Sequence, residues 1–212
     1  MVNNTPGWLT PIAWVFIALA LLTAVAIAYD IYVRDRRHDT IAVEVMWIAS
    51  ALYLGPFALL AYRRHGRAAS RAEQPVAVAS LPGGGASALA HVIGVPLVLA
   101  SGLTIAGIDL WVMIIVIGAI AVALLFGYER LAASPRGGVS MGAAFVAATV
   151  TVLAFDLGMG GWMLLLHFNG FMPPASEGTF WFLMQVGIVL GLITGYPVVK
   201  WLSARDRTVV PV

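Results

Sequence analysis

The sequence predicts an all-α fold, a polytopic bundle of membrane-spanning helices, and three observations carry that expectation. Runs of about twenty apolar residues recur along the chain, the length a helix needs to cross roughly 30 Å of hydrocarbon. Of the 212 residues, 61% are hydrophobic and 10% charged, with a mean hydropathy of +0.93. A water-exposed domain so apolar would present large adhesive patches, which a lipid bilayer solvates. No segment alternates apolar and polar residues over about ten positions, as the strands of a membrane barrel do.

Taken in order, the first span runs from about Pro11 to Val33, with Trp8 and Trp14 suited to one interface and Tyr29 and Tyr32 to the other. Ala26-Ile27-Ala28 resembles a signal-peptidase site, but no positive residue precedes the apolar run, so a retained helix is expected. "RDRRHD" (34–39) separates it from a second span, about Ile41 to Tyr62, which ends in "YRRHGR". Residues 66–87, rich in Gly, Ala, Ser and Pro and without a period, read as a flexible loop. The third span is about Ala88 to Ala106, and "GID" (107–109) turns into a fourth, about Leu110 to Tyr128. The fifth is about Val139 to Phe168 and the sixth about Phe180 to Leu202. Connections this short leave no room for a soluble catalytic domain, so residues 1–212 form one bundle.

Charge placement gives an orientation. All twelve Lys and Arg lie outside the apolar runs or at their edges, which marks topology and not a nucleic-acid footprint. Lys200, Arg205 and Arg207 follow the sixth span, Arg130 and Arg136 follow the fourth, and Arg63, Arg64, Arg67 and Arg71 follow the second. The loops between have none, so six spans place both termini in the cytoplasm. Arg34, Arg36 and Arg37 then face outward, against the rule. Five spans plus a re-entrant segment remove the conflict if "LYLGP" (52–56) dips in and returns, Gly55-Pro56 being a place for a helix to break. Six spans are the expectation and five the alternative.

Asp156 is the sharpest chemical signal. An Asp at the centre of a membrane helix costs about 2.5–3.5 kcal/mol, so it should face the bundle interior and have a partner or water. It reads equally as a cation or proton site and as a hydrogen-bonded lock between helices. Asp156, Met159, Met163 and His167 share one helical arc of about 80°. Thioether and imidazole groups favour copper(I), making Met159, Met163 and His167 the candidate metal ligands. Asp156 and His167, about 16 Å apart along the axis, cannot hold one ion, and Met at helical spacing also serves as packing. Glu44 is placed to snorkel to the interface. His91, before Pro96, reads as a ligand or proton carrier or as an interfacial, hydrogen-bonded histidine. Gln185 is expected to bond another helix. Gly187, Gly191 and Gly195 form a small-residue seam, for which Gly158 and the Gly160-Gly161 pair offer a mate. The chain has no cysteine, which excludes disulfides and iron–sulfur clusters. It also has no phosphate loop, zincin motif or serine nucleophile elbow.

The stretches "MWIASALYLGPFALLAYRRHGR" (46–67), "AFDLGMGGWM" (154–163) and "FWFLMQVGIVLGLITGYPVVKWL" (180–202) resemble a bacterial membrane-protein family, domain of unknown function 4396. The resemblance spans most of the chain from the second helix onward and implies an acidic residue at the position of Asp156. It also implies a His-Cys-Gly-Ala-Gly-Cys motif opening the third helix. Here that stretch is "HVIGVP" (91–96), in which His91 persists and both cysteines are absent. A Lys-Ala-Asp stretch is replaced by "AAT" (147–149) and a His-rich turn by "PPASEGT" (173–179). The resemblance thus supports the fold and counts against a copper cofactor. The expected function is a small transporter or channel-like protein of the bacterial inner membrane, moving a cation, proton or small solute past Asp156. The alternative is a non-catalytic membrane subunit or assembly factor. An enzyme is not expected. The partners expected are the lipid bilayer and other membrane subunits or a homo-oligomer, and no nucleic acid.

Overall fold

The computed structural model describes residues 4–67, 75–133 and 140–205. Among them the chain forms α1 (Leu9–Tyr32), α2 (Ile41–Leu54), α3 (Pro56–Ala61), a π-helical turn (Tyr62–Gly66), α4 (Val76–Ala79), α5 (Leu81–Ser101), α6 (Asp109–Ala133), α7 (Met141–Phe168) and α8 (Gly178–Ser203). The all-α membrane bundle expected from composition is what the structure has. Five helices are long and apolar enough to cross a membrane: α1, the continuous α4–α5 segment, α6, α7 and α8.

Neighbouring side chains fix their directions. The α5–α6, α6–α7 and α7–α8 pairs are antiparallel hairpins, shown by Gly94 against Ile117, the Phe126–Phe145 edge contact and the Trp162 indole donating to the Leu183 carbonyl. α1 and α8 run in the same direction, with Trp14 over Gly178 and Phe16 edge-on to Phe182 at 5.4 Å. The Asn4 amide donates to the Gly170 carbonyl, tying the chain start to the α7–α8 turn.

The segment expected as a second span is not one continuous helix. α2 has 14 residues and stops at Gly55 (φ +55°, ψ −134°), a backbone conformation that only glycine takes without strain. Pro56 then opens α3, its fixed φ suited to a first helical position. The ring of Phe16 lies 3.1 Å from where a Gly55 Cβ would stand, so the tip is seated on α1. From there the chain returns to where it entered. His38, before α2, meets the Gly66 carbonyl at 2.8 Å, and Trp47 lies edge-on to Tyr62 at 5.6 Å. In place of six continuous helices the described chain has five long ones and a hairpin over 41–66, the arrangement of the alternative reading, because Gly55-Pro56 breaks an apolar run that is otherwise long enough. The described chain ends lie at opposite ends of the bundle.

The flexible loop expected at 66–87 is also corrected. Residues 68–74 lie outside the described residues, but α4 starts at Val76 and residues 78–88 are buried. The reason is packing. A Cβ on Gly84 would stand 2.6 Å from the Tyr53 ring, and one on Gly85 2.9 Å from the Met46 sulfur. The small residues admit the re-entrant hairpin against α5, and the Tyr53 hydroxyl donates to the Leu81 carbonyl at 3.1 Å.

This path sorts the charges. Arg34, Arg36, Arg37, Arg63, Arg64, Arg67, Arg130, Lys200 and Arg205 all fall at one end of the bundle, the basic end. The described connections at the other end, residues 4–8, 102–108 and 169–177, contain no Lys or Arg. Arg71, Arg136 and Arg207 lie outside the described residues.

Candidate functional site

α7 and α8 meet through the glycine seam. A Cβ on Gly158 would fall 2.6 Å from the Leu190 carbonyl oxygen, and Gly187 and Gly191 are covered by Met159 and Phe155 respectively. Gly195 sits 3.8 Å from Phe155 by the same measure. Thr194, which the sequence reading passed over, locks the pair: its hydroxyl accepts from the Gly158 amide at 3.2 Å and donates to the Gly191 carbonyl at 3.1 Å. Gly161 is corrected out of the seam. It is exposed with open space around it, because Phe155, Gly158, Met159 and Trp162 already fill the face turned to α8.

Asp156 lies near the midpoint of the 28-residue α7 but on a different face. It points to α6, where Oδ2 lies 3.1 Å from the position of an absent Gly118 Cβ. Gly118 thus makes the space for this carboxylate. Asp156 is half-buried, with no hydrogen bond or ion pair among the described residues. Among the described residues the protein shields it in part without supplying an opposite charge.

Met159 and Met163 are buried, Met159 against Gly187, and half-buried His167 lies edge-on to Phe168 at 5.3 Å. Among the described residues no three His, Asp or Glu side chains gather as a metal-ligand group. His91 is buried on α5. Its Nδ1 donates to the Ser87 carbonyl at 2.8 Å, and Nε2 has no partner among the described residues. Gln185 bonds across helices as expected: its Nε2 donates to the Leu52 carbonyl at 2.6 Å, tying α8 to the hairpin near its tip.

The basic end holds a second polar cluster that was only partly foreseen. Glu44 does not snorkel; it is fully buried. The α1–α2 connection folds back over the start of α2, so Oε1 accepts from Arg37 Nε at 2.6 Å and from the His38 amide at 3.1 Å. Asp30, at the end of α1, takes a bidentate pair of bonds from Arg67 at 2.6 and 2.8 Å, and Arg34 lies 3.6 Å away. The two ion pairs and the His38–Gly66 bond clasp both feet of the re-entrant hairpin to α1 and its loop. Burial holds the His38 imidazole below its ordinary value, against the opposing pull of the Gly66 carbonyl and the Glu44 and Asp39 charges. Arg37, His38 and Arg67 read in sequence as loop charges and Asp30 falls unmarked within the first span, since nothing local signals that residues 30 and 67 meet.

The chain belongs to the family described as a domain of unknown function (DUF4396), whose match covers residues 74–207. That range takes in α4 through α8 with His91, Asp156 and the glycine seam, and it leaves out the Met46–Arg67 stretch. No curated protein and no solved structure matches the chain.

Proposed function

We propose that the chain, as a member of this family, is a multi-pass protein of the bacterial cytoplasmic membrane that passes a proton or small cation along the α6–α7 seam at Asp156. The observation that carries this reading is the carboxylate at mid-helix, set against Gly118 and without a partner among the described residues. A charge at this depth is costly, and what its surroundings lack is a cation or proton. The re-entrant hairpin supports the same reading, because backbone that breaks at membrane depth is tolerated where it packs in protein or lines a polar path. The basic end faces the cytoplasm by the positive-inside rule, with the N-terminus outside and the C-terminus inside. The Arg34, Arg36 and Arg37 conflict then disappears.

Two experiments test this. Purified protein in vesicles loaded with a pH-sensitive dye conducts protons or a monovalent cation under an imposed potential, and Asp156→Asn abolishes the flux while the protein stays folded. No flux in the parent, or full flux in the variant, refutes the transport reading. Because the chain has no native cysteine, single-cysteine variants at Asn4 and Ala204 report the sidedness. Labelling of both from one side refutes the orientation. A second reading, a non-catalytic membrane subunit, is favoured by the open outer face of α7 around Gly161 and exposed Leu157. It predicts that mild detergent recovers a stoichiometric membrane partner and that substitution at Gly161 releases it.

A further inference from the structure

Along the outside of the re-entrant hairpin, α1 and α3 leave a groove of about 320 Å³. Its deep part is apolar, walled by Leu22, Val25 and Ala26 on α1 and by Leu59 on α3. Its mouth is basic, rimmed by Arg34, Arg63 and Arg67 around Asp30. From Leu22 to Arg34 the groove follows α1 for about 18 Å, from hydrocarbon depth to the level of the charged loops. Three guanidiniums against one carboxylate leave two positive charges over. Arg67 is committed to Asp30 through Nε and one Nη, and Arg34 also stands over the Tyr29 ring at 5.7 Å. Arg63 is exposed, with no acidic partner among the described residues. A slot that is apolar below and cationic above, opening toward lipid at the basic end, has the polarity profile of a phospholipid standing in its own leaflet.

We propose that this groove binds an anionic phospholipid, its phosphate at Arg34 and Arg63 beside the Asp30–Arg67 pair and the upper part of an acyl chain against Leu22, Val25 and Leu59. The volume suits a glycerol-phosphate headgroup, with the chains continuing along the exposed surface of α1. Occupancy would brace the hairpin against α1 from the side that faces lipid. The proposal stands apart from transport at Asp156, since its readout is lipid binding.

The test uses the full chain purified in mild detergent and titrated separately with phosphatidylglycerol, phosphatidylcholine and inorganic phosphate, followed by thermal unfolding and native mass spectrometry. Phosphatidylglycerol is expected to raise the melting temperature and to remain bound in the spectra, and the other two are not. Arg34→Gln/Arg63→Gln should weaken apparent affinity at least tenfold, and Arg64→Gln, outside the groove, should leave it unchanged. Ala26→Trp fills the groove without altering charge and should weaken binding equally, so it decides the matter should the double variant not fold. Equal stabilisation by phosphatidylcholine overturns the proposal as non-specific lipidation. Equal stabilisation by inorganic phosphate overturns it as a free-anion site. Parental affinity in Ala26→Trp overturns the location.

Discussion

Gly158→Ala adds one methyl group at the tightest backbone approach in the α7–α8 seam. The new Cβ would stand 2.6 Å from the Leu190 carbonyl oxygen and 2.7 Å from the Thr194 hydroxyl. Ordinary contact begins at 3.4 Å, so the helices must separate by about 0.8 Å at a point where one neighbour is backbone and cannot rotate away. Overpacking of this kind costs about 1–3 kcal/mol. Losing the Gly158–Thr194 bond adds about 0.6 kcal/mol, the average for interhelical bonds in membranes. Alanine returns up to about 1 kcal/mol through helix propensity, leaving a net loss of about 1–3 kcal/mol. Gly161→Ala is the matched control, since its methyl group meets nothing within 4 Å. It keeps the propensity gain alone. Reversible unfolding of the purified protein in mixed micelles by rising SDS measures both. Equal stability of the two variants would show that the seam does not hold α7 against α8 and would refute the reasoning.

Arg67→Gln should destabilise the hairpin by about 1–3 kcal/mol, below the usual cost of breaking a buried pair because a third of the Arg67 side chain reaches solvent. Faster tryptic cleavage after Arg63 and Arg64 reports it, and adding Asp30→Asn should recover part of the loss in a double-mutant cycle. His38 makes the clasp pH-dependent. With the docked imidazole held below its ordinary value of about 6.5, the undocked form binds the proton first. The clasp therefore loses stability as pH falls below about 6.5, and the loss levels off once the docked form also protonates. Hydrogen exchange across Tyr62–Arg67 between pH 7.5 and 5.5 should show this, and His38→Gln should flatten it. Gln185→Leu removes the tether to Leu52 but also a buried carbonyl oxygen that has no partner among the described residues, so its cost should stay under about 1 kcal/mol. Its visible effect should be faster labelling of a cysteine placed at Leu54.

What the sequence reveals here follows the range of the interactions. Helices α6, α7 and α8 are legible because hydrophobic length is a local property, and the glycines facing α7 from α8 because a four-residue repeat is local too. The hairpin is visible only as an alternative. Ile41–Ala61 is long enough to cross, and Gly-Pro alone does not separate a kink from a reversal. Residues 76–87 do not read as helix in sequence because flexible linkers and close helix contacts select the same small side chains, and only the presence of Tyr53 and Met46 above Gly84 and Gly85 distinguishes them. At the candidate site, Asp156 announces itself by its cost in hydrocarbon. Gly118, which makes room for it, has no signal of its own in an apolar run.

The break at Gly55 has a consequence for how the chain enters the membrane. To an insertion apparatus reading hydrophobic length, Ile41–Ala61 is an ordinary spanning segment. What keeps it from being threaded through is an arginine triplet on either flank: Arg34, Arg36 and Arg37 before it, Arg63, Arg64 and Arg67 after it. Bracketed this way, neither end can be translocated without carrying three positive charges across, which favours both feet of the hairpin staying on the side where the chain entered. On the orientation proposed above, neutralising the second triplet should invert α5 through α8 as a block.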